Sequence, residues 1–381
     1  MAVFGWQFSA PAAVPTYKIT DLGTLGGNEG TAIGLNDNGD VVGVSQTAGG
    51  QYRPCLYSSN GTVTDLGTLP GGGGQGFAME INNLGQIVGR APVGGIDRAF
   101  LYFNGSMQDI GTLGGTSASA AMISENGKIV GYAKTAADAT THAFLYSGGV
   151  MKDLGSLGGV SECFDINEAG VIVGQAAVPG MGIRAFFYAN GAMANMGTLN
   201  NGILSYASAI NNSNVIVGSS QPAGAPSEHA FVYENSVMTD LGTLGGSTSF
   251  GQDINDAGVI VGSSQIAGDT DYHPFVYMDG AMHDLKPRIV NDTGWTLMYA
   301  QRINASGQIS GYGMNPDGKN RGFLLTPVTA APGNDNGAIL KQIAALKKQL
   351  AKAKKIDDPT LRAKKIKQLK AKIKALQGQL A

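Results

Sequence analysis

The sequence has few charged residues, few aromatic residues and almost no cysteine. Only 14% of its 381 residues are charged and 7% are aromatic, whereas an average soluble domain has roughly 25% charged residues. The two cysteines, Cys55 and Cys163, are too few for a disulfide framework. No apolar run approaches the ~20 residues of a membrane-spanning helix, and residues 1–17 lack the basic start of a signal peptide. We therefore expect neither a disulfide-stapled scaffold nor a transmembrane helix.

Glycine, in contrast, is abundant. It supplies 58 of the 381 residues, and hydrophobic residues make up 43%. A disordered chain would have fewer hydrophobic residues than this. Because glycine reaches positive φ without steric cost, the excess indicates frequent tight turns. Many short strands joined by tight turns are typical of all-β proteins.

One heptapeptide returns along the chain. DLGTLGG starts at Asp21, and related copies start at Asp65, Asp109, Asp153, Asn195, Asp240 and, in degenerate form as DLKPRIV, at Asp284. The copies are spaced 42 to 45 residues apart. A fixed period in this range is the mark of a repeat architecture.

Each repeat unit predicts four short strands, here named A to D in chain order. In the unit over residues 77–113, the segments FAMEI, QIVGR, RAFLY and SMQDI are rich in β-branched or aromatic residues. An NxxG turn joins strands A and B, and Asn-Gly, a strong hairpin signal, joins strands C and D. Four strands in this length are typical of a propeller blade. A β-solenoid is the competing architecture, although its coils are usually shorter and capped.

The two ends of the chain hold complementary parts of one unit. Residues 17–22 form a D strand without A, B or C before it, while the last A, B and C strands, within 299–327, have no D strand after them. We therefore expect an all-β, seven-bladed propeller over residues 17–328, closed by its N-terminal strand, because closure removes exposed sheet edges. An N-terminal arm (1–16), a linker (329–337) and a C-terminal segment (338–381) complete the predicted domain order.

The C-terminal segment is strongly basic. Residues 338–381 contain 13 basic and two acidic residues, a charge of +11, and the remaining 13 basic and 26 acidic residues give the rest of the chain −13. Apolar residues recur there in steps of three and four, which indicates two short helices in a hairpin or coiled coil. The predicted assembly seam comprises Ile339, Ile343, Leu346, Leu350 and Ala353 in the first helix, and Ile366, Leu369, Ile373, Leu376 and Leu380 in the second.

The repeats, with the pattern DLGTLGG, IND.G.IVG and HAFLY, resemble the HAF repeat, a bacterial repeat named after the triplet found here at residues 142–144 and 229–231. The resemblance covers roughly residues 17–327. It implies an extracellular or cell-surface location and no established activity. The C-terminal segment is similar to Lys/Gln-rich coiled-coil segments of bacterial FlxA-like proteins.

The first position of the HAF triplet always carries a basic side chain. It is occupied by Arg53, Arg98, His142, Arg184, His229, His273 and Arg321. Histidine invites a metal or general-base interpretation. However, seven-fold rotation separates these residues, and arginine is not a metal ligand. We therefore interpret the position as a structural tie between the B–C loop and its neighbour, and we expect no metal.

An isoleucine or leucine recurs near the end of strand A, and the residue just before it differs from unit to unit. Glu80, Asp165, Asp253 and Arg302 stand there in four units, against Gly34, Met122 and Ala209 in the others. If the position faces the central channel, four charged groups converge on one axis and form a candidate ligand-binding site. The alternative is that they hydrogen-bond between blades. The variable B–C loops, such as residues 263–272, are a second place for binding, since variable loops on a rigid scaffold often carry function.

These patterns leave three functional hypotheses. The first is a non-enzymatic structural protein of the cell envelope or exterior that self-associates through the C-terminal hairpin into oligomers or filaments. The second is a glycan- or ligand-binding propeller using the loops or channel. The third is a hydrolase or lyase with Glu80, Asp165 or Asp253 as acid or base. No cofactor is expected, and an anionic cell surface is a possible partner, whereas nucleic acid is disfavoured because the basic segment has no aromatic residue for base stacking.

Overall fold

The computed structural model of the protein describes residues 14–291 and 294–328, together with Ile366 and Lys370. The described residues form seven four-stranded sheets. In six sheets the strands follow chain order, and the seventh joins the first strand to the last three. The chain is therefore a seven-bladed β-propeller closed by its N-terminal strand, as the repeats predict.

The strands fall into blades as follows. Blades 1 to 3 contain β2 (Gly26–Leu35), β3 (Val41–Thr47), β4 (Tyr52–Tyr57) and β5 (Val63–Asp65); β6 (Phe77–Ile81), β7 (Ile87–Val93), β8 (Ile96–Phe103) and β9 (Ser106–Asp109); and β10 (Gly114–Ile123), β11 (Ile129–Thr135), β12 (Thr141–Ser147) and β13 (Val150–Asp153). Blades 4 and 5 contain β14 (Ser161–Ile166), β15 (Ile172–Val178), β16 (Gly182–Ala189) and β17 (Ala192–Asn195); and β18 (Leu204–Ile210), β19 (Ile216–Gln221), β20 (His229–Glu234) and β21 (Val237–Asp240). Blade 6 contains β22 (Gly245–Ile254), β23 (Ile260–Ile266), β24 (Tyr272–Met278) and β25 (Ala281–Asp284), and blade 7 contains β26 (Thr296–Ile303), β27 (Ile309–Met314), β28 (Asn320–Val328) and β1 (Thr16–Asp21). Short 3₁₀ helices occupy Ala136–Asp138, Leu199–Asn201 and Lys286–Arg288.

The hydrophobic core lies in layers between adjacent blades. In one such layer Val88 of blade 2 packs with Phe144 of blade 3, and both are fully buried. Six blades place a fully buried phenylalanine on strand C: Phe100, Phe144, Phe186, Phe231, Phe275 and Phe323. Cys55 takes this place in blade 1, and both cysteines are buried and free, in keeping with their interpretation as apolar core residues. Burying one such aromatic side chain stabilises a fold by roughly 1.5–3 kcal/mol.

Strand β1 closes the ring as the outermost strand of blade 7. The Leu22 N–H donates to the Gly322 carbonyl oxygen at 3.1 Å. Tyr17 and Ile19 alternate with solvent-facing residues and are only 1% and 6% exposed. The segment after blade 6 also holds β1, since the Asn291 side chain exchanges two hydrogen bonds with the Ile19 backbone at 2.8 and 3.0 Å.

The chain divides into two compact units with the boundary between Pro327 and Val328. The predicted C-terminal hairpin lies outside the described residues, apart from Ile366 and Lys370, which are both α-helical. The predicted N-terminal arm and linker also lie outside them, except for residues 14–16. In the described part of the chain, no helix is long and apolar enough to cross a bilayer.

Candidate functional site

The central channel collects the four charged residues that strand A carries before its isoleucine. Strand A of every blade has a register shift next to this position, as between Ala78 and Glu80. Such a bulge re-aims side chains at the edge of a sheet. Glu80, Asp165, Asp253 and Arg302 all line one cavity of about 210 Å³. The ring therefore brings together residues that are far apart in the sequence.

Arg302 and Glu80 form an ion pair between non-adjacent blades. The Arg302 Nε donates to Glu80 Oε2 at 2.7 Å, and the other carboxylate oxygen accepts from the Leu35 and Ile81 N–H groups at 3.1 Å each. Blade 1, which lies between them, has Gly34 at the equivalent position. A Cβ there would stand 2.7 Å from Glu80 Oε1. Glycine at this position therefore leaves the space in which the pair forms.

Burial opposes the charge of Arg302, but the carboxylates of Glu80 and Asp253 outweigh it and raise the pKa of the guanidinium. The Glu80 side chain is only 4% exposed and that of Arg302 is 17% exposed. A buried carboxylate of this kind depends on its partner, because an unpaired charge in a low-dielectric interior is costly.

The two aspartates of the channel join adjacent blades. Asp165 accepts from the N–H of Ile166 and, with its other oxygen, from the N–H of Ile210 in blade 5, both at 2.7 Å. Asp253 accepts from the Ile303 N–H of blade 7 at 2.7 Å. Burial raises the pKa of Asp165 to about 7 and that of Asp253 to about 6, although the backbone N–H groups act in the opposite direction.

A carboxyl group with a pKa near 7 is suited to acid–base chemistry in principle. In this channel, however, both oxygens of Asp165 already accept backbone hydrogen bonds. The cavity, at about 210 Å³, is also smaller than the ~300–1,000 Å³ of typical small-molecule sites. Among the described residues, no group of three or more His, Cys, Asp and Glu side chains could hold a metal ion. The arrangement is suited to joining blades.

The NxxG turns form a hydrogen-bonded ring at one mouth of this channel. In six blades the amide nitrogen of the turn asparagine donates to the backbone carbonyl of the equivalent residue in the next blade, at 3.0 to 3.2 Å. The donors are Asn36, Asn82, Asn167, Asn211, Asn255 and Asn304. Blade 3 has Ser124 instead. The NxxG motif predicts five of these asparagines as turn formers, while Asn211 lies in an NNSN turn outside the motif. The recurrence of one amide in six units is the sequence signal for the ring.

The basic residue of the HAF triplet pairs with the aspartate that begins the heptapeptide. In blade 3, His142 Nδ1 lies 2.9 Å from Asp153 Oδ2, while Oδ1 of the same carboxylate accepts from the Gly155 N–H at 2.7 Å. Pairs of similar length, 2.8 to 2.9 Å, join Arg98 with Asp109, His229 with Asp240 and His273 with Asp284. The Arg53–Asp65 and Arg321–Asp21 pairs are longer, at 3.8 and 3.9 Å, and are ionic contacts without a hydrogen bond. The two repeat motifs are thus in contact with each other in six of the seven blades.

Blade 4 does not have this pair. Asn195 replaces the aspartate there, and Arg184 keeps only backbone partners, the Ile203 and Ile183 carbonyl oxygens at 2.6 and 2.9 Å. The seven basic residues do not converge on a shared site. The predicted tie was to the neighbouring unit, and Arg98, Arg184 and Arg321 do donate to backbone carbonyls at the start of the next blade, those of Thr116, Ile203 and Asn28. The pair with the aspartate at the end of strand D was not predicted.

The predicted assembly seam gives no geometry to compare. Its residues lie outside the described part of the chain, except Ile366, which is half-buried in an α-helix. Their role in self-association stays a prediction.

No protein-family model matches the sequence, and no curated protein sequence matches it significantly. The HAF resemblance thus rests on the repeat residues alone. Among solved structures, the chain is similar to a puromycin-hydrolysing peptidase from Mycobacterium tuberculosis, with 11% identity and a TM-score of 0.55 over 85% of this chain and 57% of that one. It is also similar to a puromycin hydrolase, with 12% identity and a TM-score of 0.52 over 77% of this chain and 52% of that one.

A gluconolactonase from Xanthomonas campestris aligns with 86% of this chain and 99% of its own, at 13% identity and a TM-score of 0.40. This chain spans just over half the length of the two hydrolases. At such low identity, the similarities to the two hydrolases support the propeller fold alone.

Proposed function

We propose that the protein is a non-catalytic scaffold of the cell exterior or envelope. The propeller presents variable loops from a rigid ring, and the basic segment 338–381 mediates self-association into oligomers or filaments. The observation that carries the non-catalytic part is the use of the channel carboxylates. Glu80 pairs with Arg302, and Asp165 and Asp253 accept hydrogen bonds from the backbones of neighbouring blades.

The charge distribution supports the self-association. Residues 338–381 carry +11 and the remainder of the chain carries −13. Opposite charges of this size attract at low ionic strength and are screened by salt. The predicted helices span only two to three heptads each, and helices this short are marginal without a packing partner. A second copy of the chain offers both an apolar seam and an acidic counter-surface.

The cell-exterior location follows from the HAF resemblance, and an anionic cell surface is a further counter-charge for the basic segment. A propeller hydrolase is the alternative, favoured by the pKa of about 7 for Asp165. The occupied oxygens of this carboxylate and the small cavity weigh against that alternative.

Light scattering of the full chain and of the chain ending at residue 337 tests the proposal. We expect a mass well above one chain for the full protein, falling with added salt, and a monomer after truncation. Replacing Leu369 and Leu376 with alanine should reduce the mass, while alanine at Gln368 and Gln377, outside the predicted seam, should not. Equal masses for the full and truncated chains would contradict the proposal.

A further inference from the structure

The gap between blades 6 and 7 contains a cleft of about 520 Å³, more than twice the volume of the channel cavity at about 210 Å³. Its volume falls in the range of small-molecule sites. Tyr272 and His273 contribute from blade 6, Tyr299 and Met314 from blade 7, and Lys286 from the connection between them. Asp271, Thr270, Thr296 and Met298 complete the lining.

Aromatic rings form a continuous row along this cleft. Phe250 stacks on Tyr272 at 6.0 Å between ring centroids, Tyr272 on Tyr299 at 6.1 Å, and Tyr299 on Tyr312 at 5.0 Å. The interplanar angles lie between 22° and 26°. The row crosses from blade 6 to blade 7, so that the rigid ring fixes the spacing of the two central tyrosines. None of the four rings is fully buried.

Four polar side chains of this cleft have no hydrogen-bond partner among the described residues. In three other blades, the residue just before the HAF-triplet position is hydrogen-bonded within its own blade: Tyr52 with Glu29, Asp97 with Arg90, and Glu228 with Tyr206. Tyr272 is the equivalent residue in blade 6. Within the described part of the chain, its hydroxyl and that of Tyr299 have no hydrogen-bond partner, nor do the side chains of Asp271 and Lys286.

His273 adds a directed polar group. Its Nδ1 is 2.8 Å from Asp284 Oδ2. A carboxylate accepts, so Nδ1 carries a proton, and Nε2 of a neutral ring is then an acceptor. The ring orientation is fixed by the same pair that holds the HAF position in other blades.

The connection after blade 6, which contains the degenerate heptapeptide, takes a different course from three of the others. In three other gaps, the fifth residue of the heptapeptide bridges to the end of strand B in the next blade, as Leu25 does with Thr47. After blade 6, the corresponding segment turns to the closing strand instead. Ile289 bridges to Tyr17, and Arg288 donates to the Val14 carbonyl at 3.2 Å. Met314, at the end of β27, is left 42% exposed in the cleft.

We propose that the cleft between blades 6 and 7 binds a neutral carbohydrate. A pyranose has apolar C–H groups on its faces and hydroxyl groups around its rim. The C–H groups match the exposed parts of the tyrosine row, and the hydroxyl groups match the donors and acceptors that have no partner. The lining has both an ammonium group, Lys286, and a carboxylate, Asp271, and this balance disfavours a strongly charged ligand. The site is independent of the self-association proposed for segment 338–381.

Binding of the full-length protein to an array of neutral mono- and oligosaccharides tests this site, followed by calorimetric titration of the strongest binder. Tyr299→Ala and Tyr272→Ala should each weaken affinity by about 5-fold, since a lost aromatic contact is worth roughly 1 kcal/mol. Tyr132→Ala is the matched control, because this tyrosine stands on strand B of blade 3, at the position equivalent to Tyr312, and lines a different gap. Its affinity should match that of the unmodified protein.

Asp271→Ala provides a second test that does not depend on a packed residue, because Asp271 is exposed. It should lower affinity several-fold without moving the unfolding midpoint. The proposal would be overturned if no saccharide of the array bound, if only charged saccharides bound, or if both Tyr299→Ala and Asp271→Ala kept full affinity. Light scattering of the same variants should give an unchanged mass, so that failure here and failure of the scaffold proposal are distinguishable.

Discussion

Individual side chains in the channel act as connectors between blades. Arg302 of blade 7 and Glu80 of blade 2 meet at 2.7 Å across the glycine of blade 1. Asp165 and Asp253 join adjacent blades through backbone N–H groups. The same residue types in a larger, solvent-filled channel would be candidates for ligand binding. Here their hydrogen bonds hold the innermost strands together.

Loss of Arg302 should therefore be costly. Arg302→Met leaves the Glu80 carboxylate buried without its counter-charge, and we expect a loss of about 3 kcal/mol in the free energy of unfolding, measured by denaturant titration. The double variant Glu80→Met with Arg302→Met should recover most of this loss, because methionine already occupies this position in blade 3 as Met122. A double variant no more stable than Arg302→Met would contradict the buried-pair explanation.

At the scale of elements, the A–B turn does two things at once. Its asparagine accepts from its own turn, as Asn36 Oδ1 does from the Asp40 N–H at 2.9 Å. The amide nitrogen of the same side chain donates to the next blade. Ser124 accepts from Lys128 N–H at 3.1 Å and so preserves the turn, but its hydroxyl is too short to reproduce the amide donor.

Completing this ring should stabilise the protein. Ser124→Asn supplies the missing donor to the Asn167 carbonyl, and we expect a gain of about 1 kcal/mol, the usual net value of one hydrogen bond. The measurement is the denaturant midpoint at constant slope. Ser59→Asn, on an exposed C–D turn, is the control and should leave the midpoint unchanged. No gain in Ser124→Asn would indicate that the ring adds nothing to stability.

The heptapeptide and the HAF triplet are also in contact with each other. The aspartate binds the glycine N–H two residues later and, through its other oxygen, the basic residue of strand C. Where Asn195 replaces the aspartate, Arg184 has backbone partners only. The HAF position stays arginine where the aspartate is replaced, so the sequence shows no correlated change and only the structure identifies the contact between the two motifs.

The whole molecule depends on ring closure by its first strand. β1 contributes Tyr17 and Ile19 to the core of blade 7, although they are separated from the rest of that blade by more than 270 residues in the chain. A non-local contact of this kind has a high entropic cost of loop closure, which apolar burial must offset.

Tyr17→Ala should destabilise the propeller strongly. Truncation of a fully buried aromatic side chain costs about 3–5 kcal/mol, and we expect a fall of this order in the free energy of unfolding. Lys18→Ala, on the exposed face of the same strand, is the matched control and should have little effect. A stability for Tyr17→Ala equal to that of the control would show that β1 does not hold the ring closed.

The sequence by itself determined the number of blades, the four strands in each and the closing strand, because turn chemistry and strand patterning are local and recur in every repeat. It also placed Glu80, Asp165, Asp253 and Arg302 at one repeat position. Only the tertiary structure decided that Arg302 forms its ion pair with Glu80, and that Tyr272 and Tyr299 line the same cleft. These contacts join residues from different blades, and their geometry depends on the closed ring and on the departures of single blades from the repeat.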